Sequence, residues 1–326
     1  MTTTTVMISR HVEQRLGDIE RLPVTVPVMV LGAGFVDVIV AIPHLPERGG
    51  DLAAKPGRIT IGGCGLNVVR GLHRLGVPVI PGIPVGRGPW ADAVRQELTA
   101  LGLSSPLQVE SEDNGWCMAM VEPDGERTFV SIRGVETALS LDLLQRLTGP
   151  AGCLLYVSGY ELLGQHSAVV LDWLNQVHPS RLLLDPGPRA DALTPDILSL
   201  LGRWNPVVTV NEQEARCLCG NNQPSTVAEF ANTWELVVIC RSAAQGTGLY
   251  RPHHAPLNIP TRQVSVIDTI GAGDAHAAGL LAALACGWNL PSAVWLGNQV
   301  AAISVSRPGA DGTPTFAELR AAVGLR

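Results

Sequence analysis

Residues 268–281 read Asp-Thr-Ile-Gly-Ala-Gly-Asp-Ala-His-Ala-Ala-Gly-Leu-Leu. The β-branched run just before them, Val264 to Ile267, predicts a buried strand. The Ala/Leu-rich run Ala275 to Ala285 predicts a helix. Between the two, Gly271-Ala272-Gly273 makes a tight turn whose backbone N–H groups point outward. Such groups have no partner at a helix start, and with the helix dipole they form an anion site. Asp274 falls in the first helical turn, inside that pocket. Amides that hold a phosphate beside a carboxylate that takes a proton suit phosphoryl transfer to a hydroxyl. An acid at a helix start is also common for structural reasons alone, and on this stretch both readings stand.

The rest of the chain narrows the classes. Its 326 residues suffice for one large α/β domain or two ordinary ones. The net charge of −6, from 23 basic and 29 acidic residues, argues against non-specific nucleic-acid binding and against a basic membrane-binding patch. Seven scattered cysteines with no C-x-x-C pair fit neither a disulfide framework nor a zinc site. They suit a reducing cytoplasm. Residues 1–24 read as an N-terminal arm with a short helix around His11 to Ile19, and lack the apolar core of a signal peptide. The uncharged stretch from Ala275 to Ser306 is broken by Asn289, Pro291, Asn298 and Gln299, and predicts two buried helices rather than a membrane span.

Upstream, Val26 to Leu31 predicts the first strand, followed by Gly32-Ala33-Gly34-Phe35-Val36-Asp37 and a second apolar run. G-x-G after a strand opens a dinucleotide fingerprint, but Asp37 occupies the third glycine position and no helix pattern follows. Asp37 instead lies just past a strand end, where ligands of open parallel sheets bind. Next come Ile59-Thr60-Ile61 and Gly62-Gly63-Cys64-Gly65-Leu66-Asn67. Here glycines admit a ligand close to the backbone. Asn67 opens a helix, either as a simple cap or with its amide turned to a sugar hydroxyl. A strand over Val77 to Val85 then leads to Gly86.

Gly62, Gly63, Gly65, Asn67, Gly76 and Gly86 resemble the first signature of the ribokinase-like (PfkB) carbohydrate kinases, and residues 268–281 resemble the second. The resemblance runs from about Val26 to the C-terminus. It implies an α/β, ribokinase-like three-layer sandwich with a central, mostly parallel sheet and a small β lid. It also implies that residues 25–326 are the kinase domain, with the lid from about 38–60 and 107–134.

The middle of the chain agrees. Gly115 to Val121 and Arg127 to Ile132, joined by Glu122-Pro123-Asp124-Gly125, read as a hairpin. From Leu154 on, strands alternate with helices, which predicts a parallel sheet covered on both faces. Asn211 closes one strand and Glu214 lies one turn later. That spacing fits a capping box, and it also resembles the family's Asn-x-x-Glu motif near the phosphates and magnesium.

The resemblance implies ATP as phosphoryl donor, with Mg2+ held by Glu214 through water and with Asn211, Glu214, Arg241, Gly246 and Asn298 around the nucleotide. It implies Asp37, Gly62, Gly63 and Asn67 at the sugar, and Asp274 as general base in an anion hole of Gly271, Ala272 and Gly273. It also implies a place for K+ at Asp268, beside the loop Ser306 to Gly312, and a homodimer paired through the lid.

Two loops depart from the pattern. Ala243 stands where a glycine is usual, and Arg241 where Thr or Lys is usual, as a phosphate ligand or a plain surface arginine. Arg87 to Ala91 lack the usual acidic residue. His276 is expected to pack. The expected activity is ATP-dependent phosphorylation of a free sugar. The alternatives are a nucleoside kinase, with Trp116 stacking on the base, and a non-catalytic sugar or nucleoside sensor. No G-x-x-x-x-G-K-[ST] stretch is present.

Overall fold

A computed structural model describes Leu16 and residues 21–55, 57–309 and 312–323. The expected helix at His11 to Ile19 lies outside the described residues, apart from Leu16, which is helical and fully buried. In chain order the strands are β1 (Val28–Leu31), β2 (Phe35–Ala41), β3 (Ile59–Gly62), β4 (Val79–Gly82), β5 (Trp116–Val121), β6 (Arg127–Ile132), β7 (Leu154–Ser158), β8 (Arg181–Asp185), β9 (Val207–Asn211), β10 (Val237–Arg241), β11 (Thr247–Tyr250) and β12 (Leu257–Ile259).

Eight strands form one sheet in the order β12-β11-β10-β9-β8-β7-β1-β4. Pairing is parallel from β4 to β10 and antiparallel from β10 to β12. The central strands are apolar throughout because both faces are covered. Val28 and Val30 of β1 pack with the helices Cys64–Arg74, Ala272–Ala285 and Leu290–Val305, while Met29 and Leu31 pack on the other side, with Ser167–Val177 and Pro224–Thr233. Leu154 and Tyr156 against Leu155 and Val157 repeat the split in β7. The two-residue period of a strand thus divides one apolar run between two cores, and the sheet lies between two helical layers as expected. Small residues bring two of the helices together: a Cβ on Gly279 would lie 2.9 Å from Cα of Gly297.

A second sheet, in the order β3-β2-β5-β6, contains the expected hairpin β5–β6, with β2 parallel to β5 and antiparallel to β3. Asp37 sits inside β2, opposite Thr60, rather than in a loop after β1.

Two expectations need correction. Val264 to Ile267 is not a buried strand: it pairs with no strand, and Val266 and Ile267 are 62% and 64% exposed. The sheet already ends at β12, and the Ile267 and Asp268 amides donate instead to the Val305 carbonyl at 2.8 and 3.2 Å. β-Branched residues favour a strand only where a partner strand and a packing face exist. Asn67 does not open its helix either. The helix begins at Cys64, with Gly63 in the capping position, so Asn67 lies a turn inside and its side chain is released from capping.

Candidate active site

The parallel strands end on one edge of the sheet. There Ser158, Asp185, Asn211 and Arg241, the last residues of β7, β8, β9 and β10, line a cleft of about 750 Å³. Ligands of open parallel sheets bind at this edge. The helix Ala272–Ala285 points its N-terminus into the cleft from residues 271–274.

Gly271 caps that helix at φ 72°, a left-handed conformation that glycine adopts without strain. No side chain caps it. Of the expected amide donors, the Ala272 N–H is already taken, closing a turn on the Thr269 carbonyl at 3.2 Å. The amides of Gly273 and Asp274 have no partner among the described residues, and both residues line the cleft. Gly273 also makes room for Arg241: a Cβ there would lie 3.0 Å from Nη1.

Asn67 donates from Nδ2 to Oδ2 of Asp274 at 2.8 Å. Its own Oδ1 accepts from Nη1 of Arg70 at 3.2 Å, and Arg70 is anchored on Glu97 at 2.8 Å and on the Ile61 carbonyl at 3.0 Å. Asp37 and Gly62 lie beside Asn67: a Cβ on Gly62 would lie 3.3 Å from Oδ2 of Asp37 and 3.8 Å from Oδ1 of Asn67. Burial raises the Asp37 pKa. Burial also pushes Asp274 up to about 7, with the charge of Asp185 adding to it; the Asn67 amide, Arg241 and the Cys64 thiol pull the other way. A helix N-terminus favours an ionised carboxylate, but desolvation outweighs that effect here.

After β9 the capping box is formed: the Asn211 amide donates to Oε2 of Glu214 at 2.7 Å, and the Glu214 amide to Oδ1 of Asn211 at 2.8 Å. The same Glu214 oxygen also accepts from Nη2 of Arg241 at 3.4 Å, so capping and cleft share one carboxylate. Burial raises the Glu214 pKa, and the Asn211 amide and Arg241 oppose it.

Arg241 is no surface arginine. Nη1 meets Oδ2 of Asp185 at 3.0 Å, and the three side chains are 11–15% exposed. Burial works against the Arg241 charge, but Asp185 and Glu214 outweigh it and raise its pKa. Ala243 adopts φ 43°, the left-handed geometry expected of the usual glycine, and Gly246 closes the loop at φ 94°.

Asn298 lines the cleft, but its amide is spent: Oδ1 accepts from the Thr247 hydroxyl at 2.6 Å, and Nδ2 donates to the Ile259 and Pro260 carbonyls at 3.1 and 3.2 Å. It fixes the pocket wall rather than offering a free amide.

His276 packs against Gly297 at 2% exposure. Burial lowers its pKa to about 3, with Arg241 in the same direction and Asn298 opposed, so the ring is neutral.

Asp268 accepts from the Ile270 and Gly309 amides at 3.0 and 3.1 Å, and Arg127 of β6 approaches it to 3.8 Å. The loop at Gly309 therefore does meet Asp268; residues 310 and 311 lie outside the described residues.

Arg87 to Ala91 are met by Asp113, which accepts from the Trp90 and Ala91 amides at 3.2 and 2.6 Å. Trp116 stacks on Trp90, with ring centroids 5.8 Å apart. The sequence reading gave no role to Asp185 or Cys64. Asp185 closes a parallel strand just as Asn211 does, and that position was the available sign.

This architecture is a ribokinase-like fold. An Arabidopsis thaliana ribokinase solved with ribose and ATP superimposes with a TM-score of 0.76, at 20% identity, over 93% of this chain and all of that one. A Cryptococcus neoformans ribokinase solved with ADP gives 0.75 at 22% identity, over 91% of this chain and all of that one. The chain belongs to the pfkB family of carbohydrate kinases, whose profile matches residues 28–315. An Escherichia coli K12 protein described as an uncharacterised sugar kinase, YegV, is 39% identical over 297 residues, covering 90% of this chain and 92% of that protein. A mouse ribokinase is 26% identical, over 86% of this chain and 90% of its own. Among the described residues no helix is long and apolar enough to cross a membrane.

Proposed function

We propose that this kinase transfers the terminal phosphoryl group of ATP to a hydroxyl of a free sugar, with Asp274 as general base. The observation that carries the reading is the Asn67 amide on the Asp274 carboxylate, next to the unpartnered Gly273 and Asp274 amides. The sugar lies against Asp37, Gly62, Gly63 and Asn67. Asp274 takes the proton of the attacking hydroxyl, and the free amides hold the transferring group as charge builds on its oxygens. A carboxylate with a pKa of about 7 is a better base than an exposed aspartate, and at neutral pH it is substantially ionised.

The donor set on the other wall fits magnesium. Among the described residues no cluster of three or more His, Cys, Asp or Glu forms a metal cage. Mg2+ is characteristically held by one or two carboxylates, water and substrate phosphates. Glu214 would hold it through water, and the bound ion would supply positive charge to the phosphates. Asp268 is the residue for a monovalent cation, where Arg127 already brings positive charge. Ile59, Phe129, Val130 and Ile132 of the small sheet are 41–60% exposed, which supports pairing of two copies through this sheet, the lid of the cleft. The free cysteines support work in a reducing cytoplasm.

Replacing Asp274 by Asn tests the base. Turnover, read as acceptor-dependent ADP release, drops by ~10²–10⁴-fold with sugar binding retained. Turnover near wild type removes Asp274 from the mechanism. The absence of ADP release over a panel of sugars and nucleosides that do bind favours a sensor instead.

A further inference from the structure

The kinase reading leaves open how the base of the donor nucleotide is recognised. Asn67 reaches Asp274 from one side, and Arg241 lies against Gly273 from the other. With the acceptor beside Asn67 and the phosphates at the helix start, the base falls at the far end of the cleft, between the segment after β12 and the helix Leu290–Val305. Val264, Val266, Ala301, Ala302 and Val305 line that end. Val266 is 62% exposed, so its apolar surface is open to a flat ligand. Aliphatic side chains of this kind carry no hydrogen-bonding group with which to read a base edge.

Polar side chains stand among them, but they are engaged within the protein. Oδ1 of Asn298 accepts from the Thr247 hydroxyl at 2.6 Å, and Nδ2 donates to the Ile259 and Pro260 carbonyls at 3.1 and 3.2 Å. The Thr261 hydroxyl donates to the Asn298 carbonyl at 3.5 Å, and Nε2 of Gln263 donates to the Ala244 carbonyl at 2.9 Å. Arg262 is turned onto the Ala322 carbonyl. His276 packs against Gly297, with both ring nitrogens buried and unpartnered among the described residues. Thr247, Thr261, Gln263 and Asn298 thus brace strand, loop and helix around the pocket and turn their polar atoms into its wall. Purine bases share their ring faces and differ in the donors and acceptors on their edges. A site that pairs with an edge group rejects the analogue lacking it by ~10⁴-fold, because its own polar group is left bare, whereas an apolar wall separates analogues of like shape weakly.

We propose that the donor pocket is blind to the base edge, so that purine nucleoside triphosphates in general, and not ATP alone, donate the phosphoryl group. The proposal rests on the kinase reading for the transfer, but the pocket is tested by binding alone. The probes are ADP, GDP, IDP and pyrophosphate with Mg2+, titrated by isothermal calorimetry into the wild-type protein and into the Val266→Ala and Gln263→Ala variants.

The expected result is a set of dissociation constants for ADP, GDP and IDP within ~10-fold of one another, each at least ~10-fold below that of pyrophosphate, as an apolar wall acting on ring faces requires. Val266→Ala weakens the three nucleotides alike, by ~2–5-fold, and leaves pyrophosphate unmoved. Gln263→Ala keeps the ratio of ADP to GDP affinity. A wider spread among the nucleotides in either direction, a Val266 effect confined to one base, or a ratio that moves with Gln263 overturns the proposal. Both substitutions fall at exposed positions, and ligand-free melting controls for folding. If a variant is unfolded, the spread in the wild type decides. Tight ADP with weak GDP would overturn the edge-blind pocket and leave the kinase reading standing, whereas binding of none of the nucleotides would overturn both. Equal binding of all three, without phosphoryl release from ATP, GTP or ITP to any acceptor that binds, would sink the kinase mechanism while leaving the pocket standing.

Discussion

The Asn67 amide and the Asp274 carboxylate, 207 residues apart in sequence, meet at 2.8 Å. Arg70 occupies the Asn67 oxygen, so only the amide nitrogen is left to face Asp274. This contact lowers the Asp274 pKa against the effect of burial. Asn67→Ala should therefore cut kcat by ~10–10²-fold. It should also move the acidic limb of the kcat/KM profile, expected near pH 7 in the wild type, to higher pH. The sign follows from the base, which must be ionised: losing a donor to the carboxylate makes ionisation harder. A pH–rate series on both proteins checks this, and an unmoved limb would detach Asn67 from the base.

The fold was legible because apolar runs alternating with helical patterns leave few arrangements for a parallel sheet. The Gly271–Asp274 turn was legible because a glycine turn and a helix start are set by local backbone geometry. Other parts depended on contacts between distant segments. Val264 to Ile267 carries strand propensity, but no partner strand was left for it. The role of Asn67 depends on Arg70 and Glu97, and nothing in residues 62–67 encodes them. The triad joins Asp185 and Arg241, at the ends of two strands, to Glu214 in the first turn of the helix after a third, so Arg241 read in isolation was compatible with a surface position.

Arg241 bridges Asp185 and Glu214 at 3.0 and 3.4 Å, with all three largely buried. Removing one member of such a group strands the others. Arg241→Gln should cost ~3 kcal/mol, as breaking a buried ion pair does, measured by urea unfolding at pH 7. Millimolar Mg2+ should restore more of the melting temperature to this variant than to the wild type, because two unneutralised carboxylates are then present. An equal Mg2+ response in both proteins would argue against cation binding at this pair.

Glu161 is 3% exposed, and burial raises its pKa to about 8, against the Ser158 hydroxyl and two backbone amides; one carboxyl oxygen has no partner. Below the unfolded pKa of ~4.3 the group is protonated in both states and favours neither. As pH rises towards 8 the unfolded chain ionises while the folded chain holds its proton, so stability falls through this window and levels off above it. Glu161→Gln removes the ionisable group. Its unfolding free energy should match the wild type near pH 4 and exceed it at pH 8.5 by on the order of a few kcal/mol, at 1.36 kcal/mol per unit. Denaturant titrations at the two pH values check this, and parallel stability curves would contradict the buried-acid assignment.

Ala243 holds φ 43° in the loop between β10 and β11, with its side chain exposed. A left-handed conformation costs an alanine roughly 1–2 kcal/mol that glycine avoids. Glycine in turn loses more chain entropy on folding, by ~0.4–1 kcal/mol. The methyl group contributes little packing here, so the backbone term wins, and Ala243→Gly should stabilise the protein by ~0.5–1 kcal/mol. The same change frees the loop that carries Gly246, which lines the cleft. A modest rise in KM for ATP with unchanged kcat would mean that the strained alanine preorganises this loop. Stability and KM both unmoved would mean that the loop relaxes around residue 243 at no cost.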